Sequence, residues 1–200
     1  LSFHWDEDAM FIQFPDFLLP AALHQLTIVY DGKPPIAENP PWQGGFVWKR
    51  DKKYNHWAGV ACEHFGASSW WPCKDHPTDE PDSMRMTFIA PKRYDVVANG
   101  KRLSIQKFDR KNKATTWFVH HPINNYNVTF YLGKFAHFSD TLINSEDTVQ
   151  LNYYVLPYNL SKAKEVFKQN KSVLKCYEKY YGPYPFPKDG YALVESPYAG

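Results

Sequence analysis

Met84-Arg85-Met86-Thr87-Phe88-Ile89-Ala90-Pro91 alternates apolar and polar side chains until a proline ends the run. A period of two places Met84, Met86 and Phe88 on one face, the pattern of a strand with one buried side. Just downstream, Val96-Val97, then Asn99-Gly100, then Leu103 and Ile105 read as a hairpin. Asn-Gly tolerates the positive φ that a tight primed turn requires. Trp117 with Val119, and Val128 with Phe130 and Leu132, add two more strands. Upstream, Leu26, Ile28 and Tyr30 alternate with Thr27 and Val29 before Asp31-Gly32 turns the chain. From Met10 to about Phe138 the expectation is therefore an all-β region, a sandwich or curved sheet.

The pattern changes after the polar stretch Ser139 to Asp147. Val149, Leu151, Tyr153 and Val155 make one alternating strand, closed by Pro157. Ala163, Val166, Phe167, Leu174, Tyr177 and Tyr181 then recur at steps of three and four, one face of a helix over Ser161–Tyr181. Asn159 or Ser161 is placed to cap its start, and Gly182-Pro183 ends it. Tyr191, Leu193 and Glu195 suggest a further strand. Strand, helix, strand is the opening of an α/β domain, so the chain divides into a β domain over 1–147 and the start of an α/β domain over 148–200.

Composition sets the broad class. Of 200 residues, 44% are apolar and 22% charged, the balance of a globular protein and not of a disordered one. Aromatics reach 18%, with 14 Tyr, 14 Phe and 7 Trp, which favours strands. A formal net charge of +2 with no Lys/Arg run gives no reason to expect nucleic acid as a partner. No apolar stretch approaches the roughly 20 residues of a transmembrane helix. Three cysteines, Cys62, Cys73 and Cys176, argue against a disulfide framework. Neither Leu1 nor Gly200 reads as a natural terminus.

Catalytic motifs are missing from the sequence. It holds no H-E-x-x-H, G-x-S-x-G, P-loop or G-x-G-x-x-G, so no catalytic residue is assigned within it. The densest polar cluster is Cys62-Glu63-His64 followed by Cys73-Lys74-Asp75-His76. Cys62, His64, Cys73 and His76 are the ligand types of a structural zinc site, but the one-residue gap in the first pair is atypical. A strand through residues 59–63 would put Cys62 and His64 on a shared face. Small buried cysteines beside surface histidines explain the cluster as well, and no metal ligand is assigned.

The run around that cluster carries a resemblance. Gly59-Val60-Ala61-Cys62-Glu63-His64-Phe65-Gly66-Ala67-Ser68-Ser69-Trp70-Trp71-Pro72-Cys73-Lys74-Asp75 resembles a signature in the β domain of the aminopeptidase N and leukotriene hydrolase family of zinc aminopeptidases. Tyr180-Tyr181-Gly182-Pro183-Tyr184-Pro185-Phe186-Pro187 and Leu193-Val194-Glu195-Ser196-Pro197-Tyr198-Ala199-Gly200 resemble the approach to that family's Gly-x-Met-Glu-Asn loop. Many members carry Arg where this chain has Ser68.

The resemblance implies an internal piece of a metallo-aminopeptidase: most of the N-terminal β domain and the start of a thermolysin-like catalytic domain. The parent would bind Zn2+ through H-E-x-x-H and a downstream Glu, all beyond Gly200. The piece itself would bind no metal and hydrolyse nothing. It would supply recognition of peptide substrates with a free N-terminus. Glu63 matches the position that contacts the substrate α-amine, Tyr198 a wall of the first side-chain pocket, and Ala199 and Gly200 the loop beside the substrate backbone. Taken alone, the position of Glu63 favours an exposed strand carboxylate, and Tyr198 is equally ordinary packing. Two other classes fit the composition: an aromatic-rich β-sandwich that captures glycan or peptide on Trp42, Trp48, Trp57, Trp70 and Trp71, and a small domain stabilised by zinc on the Cys/His cluster.

Overall fold

The computed structural model describes the chain except residues 21, 64, 65, 75, 145, 146 and 198–200. It falls into two units, Leu1–Lys33 and Pro34–Gly200. In the first, β1 (Ser2–Asp6) and β2 (Ala9–Gln13) form an antiparallel hairpin. The strand expected at Leu26, Ile28 and Tyr30 is not formed: 26–30 is irregular and these side chains are exposed. Alternation supplies a face, but a strand also needs a neighbour for its backbone, and no described residue ladders with this segment.

The second unit holds three sheets. The first has the order β3-β4-β9-β6, built from β3 (Gly45–Arg50), β4 (His56–Ala61), β9 (Phe130–Gly133) and β6 (Asp95–Ala98). The second has the order β5-β8-β7, from β5 (Met84–Pro91), β8 (Asn112–Val119) and β7 (Lys101–Lys107). Met86 and Trp117 from the second sheet meet Val96, Val97 and Phe130 from the first in one buried cluster. Two sheets sharing one core in this way make the expected sandwich.

Asn99-Gly100 is not the hairpin that its turn chemistry suggests. Strand β6 pairs with β9, and β7 pairs with β8, so the dipeptide carries the chain from one sheet to the other. The side chains give the reason. Val96, Val97 and Ala98 are all buried, whereas Leu103 and Ile105 are about half exposed on an edge strand. Both strands lie at the edge of their sheets, but β6 is buried on both faces and β7 is not, and the two sit in different layers. Asn99 fixes the crossing, its Oδ1 accepting from the Thr129 amide at 2.7 Å and its Nδ2 donating to the Asn127 carbonyl at 3.1 Å.

The third sheet has the order β10-β11-β12, from β10 (Ala136–Ile143), β11 (Thr148–Val155) and β12 (Tyr191–Val194). Strands β11 and β12 are parallel and joined through helices, the expected strand-helix-strand opening of an α/β domain. The helical segment is broken in two, α1 (Leu160–Val166) and α2 (Asn170–Tyr181), by a single 3₁₀ turn over Phe167–Gln169. At that turn Phe167 stacks on Tyr153 at 5.1 Å. Gly182 ends α2 at φ 90°, as its sequence position suggests. Asn159 occupies the N-cap position of α1 without capping it; its side chain is used elsewhere, as described below. No described helix is long and apolar enough to cross a membrane.

Candidate functional site

Glu63 lies just past the end of β4, in a turn and not on the strand. The strand stops at Ala61, and Cys62 turns its side chain into the interior. The backbone at Glu63 is held from behind by Gly44. A Cβ on Gly44 would sit 2.1 Å from the Glu63 carbonyl oxygen, so only glycine allows this approach. In front, the exposed Glu63 carboxylate accepts a hydrogen bond on Oε2 from the Tyr126 hydroxyl at 2.5 Å. That bond is the main reason why the Tyr126 phenol is harder to ionise than usual. The other carboxylate oxygen, Oε1, has no partner among the described residues.

Tyr126 is itself positioned. It sits in the 3₁₀ turn Asn125–Asn127, whose start is capped by Asn124 Oδ1 accepting from the Tyr126 amide at 2.9 Å. Next to it, buried Asn125 donates from Nδ2 to the carbonyls of Lys74 and Asp79 at 2.8 and 2.7 Å. Asn125 therefore ties the loop after Pro72 to the turn that presents Tyr126. Neither Asn125 nor Tyr126 stands out in the sequence, because the contact between Tyr126 and Glu63 spans 63 positions.

The Cys/His cluster is only partly visible. Cys62 is buried, Cys73 half-buried and His76 exposed, while His64 lies outside the described residues. With β4 ending at Ala61, the shared strand face expected for Cys62 and His64 is not available. Among the described residues no three His, Cys, Asp or Glu side chains group closely enough to hold a metal ion. The five tryptophans do not form one platform either. Trp57 is in the core, Trp70 and Trp71 are part-buried against the sandwich, and only Trp42 and Trp48 are largely exposed.

Tyr198, Ala199 and Gly200 lie outside the described residues, but the segment that leads to them is firmly held. Glu195, one residue past β12, accepts from the Leu156 amide at 2.7 Å and from Asn159 Nδ2 at 2.5 Å. Its backbone carbonyl accepts from Trp57 Nε1 at 3.2 Å, and its amide donates to the Tyr154 carbonyl at 2.8 Å. Glu195 thus links the first sheet, the end of β11 and the approach to Tyr198.

A second clamp lies at the turn before β12. Asp189, with only 9% of its side chain exposed, takes both imidazole Nδ1 atoms of His120 and His121, at 2.9 and 2.6 Å. It also accepts their backbone amides, at 2.7 and 3.2 Å. Burial pushes the carboxyl up, but the bonds from His121 and His120 outweigh it and hold the group below the usual carboxylate range. A depressed folded pKa adds stability that is complete above the unfolded value of about 3.9 and lost as pH falls through the folded value. Asp189→Asn is accordingly expected to cost about 2–3 kcal/mol at pH 7, because it removes charge-assisted hydrogen bonds. The wild type should approach the variant's stability in urea titrations taken progressively below pH 4.

Three clefts meet at this turn and share Gly100, Asp189 and Gly190. The largest, about 530 Å³, is lined by His121, Asn124, Tyr184 and Phe186 among others. Glu63 lines none of the three, so the recognition carboxylate and the clefts are separate features.

No known protein-family profile matches the chain. Protein TMA108 of Saccharomyces cerevisiae is 24% identical over 143 residues, which are 70% of this chain and 15% of that protein. Among solved structures, a two-domain M1 zinc metallopeptidase mutant bound to L-tryptophan superposes with a TM-score of 0.67 at 17% identity. The match covers 84% of this chain and 38% of that one. The M1 zinc metallopeptidase of Deinococcus radiodurans gives 0.59 at 16% identity, over 72% and 33%. A mutant of it bound to a Tyr-Ser-Ala substrate gives 0.63 at 16%, over 84% and 37%. At such identities the likeness is one of fold: a β domain followed by the start of an α/β domain, as in these metallopeptidases. The chain spans well under half the length of each.

Proposed function

We propose that this chain is the substrate-recognition portion of a zinc-dependent aminopeptidase, with a β domain over 1–147 and the beginning of the catalytic domain over 148–200. The sequence holds no H-E-x-x-H, and the resemblance assigns that motif, the metal and its base to the rest of the parent, so the role proposed for this chain is binding. The observation that carries the reading is the Glu63 carboxylate. One oxygen is fixed by Tyr126, the other is unengaged among the described residues, and the fold is shared with an enzyme bound to Tyr-Ser-Ala. The α-amine of such a peptide has a pKa of about 7.7–8.0 and is mostly an ammonium at neutral pH. A carboxylate with a fixed orientation and an unused acceptor oxygen binds that ammonium and gives nothing to a chain that continues past it. Tyr198, Ala199 and Gly200 complete the proposed subsite, the tyrosine as a wall and the small residues as close backbone.

Glu63→Ala in the full-length parent is expected to lower kcat/KM for free-amine peptides by at least about tenfold, the lower end for a charge-assisted hydrogen bond. N-acetylated peptides, with no charge to pair, should lose little further, and zinc content should stay unchanged. An unaltered ratio between free and blocked substrates would return Glu63 to the status of a surface carboxylate.

A further inference from the structure

A cavity of about 320 Å³ opens between β7, β10, β11 and the turn Pro187–Gly190, away from Glu63. Its aromatic floor is continuous. The Arg102 guanidinium lies 5.9 Å from the Trp117 ring, Trp117 meets Tyr154 edge-on at 6.4 Å, and His137 stacks on Tyr154 at 4.6 Å. His137 Nε2 in turn bonds Asn152 Oδ1 at 2.9 Å, which leaves the Asn152 amide nitrogen available to donate. Lys101 and Lys188 complete the lining on exposed positions.

What marks the cavity is its excess of donors over acceptors. Lys101, Arg102, Lys188, the Asn152 amide nitrogen and the Tyr154 hydroxyl have no hydrogen-bond acceptor among the described residues. The carboxylates nearby are already committed. Asp189 holds His120 and His121 with both oxygens, and Asp95 pairs with Lys113 at 2.8 Å. Three cationic side chains, Lys101, Arg102 and Lys188, line the cavity against the one carboxylate of Asp189, so its lining carries an excess of positive charge. An oxyanion that meets several such donors gains charge-assisted bonds. A positively charged guanidinium backed by an indole ring keeps its charge directed without a carboxylate partner.

We propose that this cavity binds a phosphate-type oxyanion, with Lys101, Arg102 and Lys188 supplying charge and Asn152 and Tyr154 supplying directional donors. The site is independent of the aminopeptidase reading and stands or falls separately from it. Inorganic phosphate is the probe. Calorimetric titration of the chain with sodium phosphate, against sodium chloride at matched ionic strength, is expected to show one saturable site. Lys101→Gln combined with Lys188→Gln should raise Kd at least about tenfold, as the removal of one or more charge-assisted hydrogen bonds requires. Tyr154→Phe removes a single hydroxyl and should raise Kd by roughly threefold, which decides the matter even if the double variant folds poorly. Heats equal to those of chloride, unchanged affinity in the variants, or acetate binding as tightly as phosphate would each overturn the proposal.

Discussion

Gly100→Ala is expected to destabilise the sandwich by about 3 kcal/mol or more, which belongs to the rare upper range for a single methyl. Two costs add. Gly100 has φ +81°, where an L-side chain loses roughly 1–2 kcal/mol. The new Cβ would also stand 2.1 Å from the Phe118 carbonyl oxygen and 2.6 Å from its carbon. Phe118 cannot retreat, because β8 is the central strand and Phe118 faces Arg85 of β5 on one side and Lys101 of β7 on the other. Gly182→Ala separates the two costs. That residue, at φ 90° and ψ 178°, also sits where L-side chains are rare, but it has nothing within 4 Å of the added atom, so it should lose only a backbone cost of about 1–3 kcal/mol. In urea unfolding followed by tryptophan fluorescence, both variants should lower the midpoint with unchanged slope, Gly100→Ala by clearly more. Equal losses would mean that the approach to Phe118 is looser than described.

The same glycine shows where local sequence stops being informative. Its Asn-Gly context announces a turn, and a turn is present, but which strands the turn joins depends on layers that no dipeptide encodes. Strands β5, β8 and β11 were legible because each has a period of two with one buried face, and the helical stretch because Ala163, Phe167 and Leu174 keep the spacing of one helical face. Leu26, Ile28 and Tyr30 have the same alternation as β5 and no ladder, since alternation describes a side-chain face and not a backbone partner. At the candidate site, Glu63 was reachable only through a resemblance. Tyr126, which orients it, and Asn125, which holds the neighbouring loop, are polar residues in a short irregular segment with no period to read. The Asp189 clamp joins residues 68 and 69 positions apart. A pair of histidines after a strand and an Asp-Gly turn are each unremarkable, and their meaning exists only in three dimensions.

Trp57→Ala is expected to have a still larger effect, about 3–5 kcal/mol, typical of deleting a fully buried aromatic side chain. Trp57 is 1% exposed and packs with Val47, Ala37 and Leu156, so its removal leaves a cavity that neighbouring strands cannot close without shifting register. It also donates to the Glu195 carbonyl across 138 positions of sequence. That bond fastens the segment after β12 to the first sheet. Trp57→Phe keeps most of the apolar packing and loses the donor, leaving the Glu195 carbonyl without it, for about 1–2 kcal/mol. The ordering is the test. In guanidinium unfolding, Ala should lose at least twice as much stability as Phe, because volume outweighs a single neutral hydrogen bond. Should the two variants be equally damaged, the indole N–H and not the ring would be the element that joins Glu195 to the sandwich.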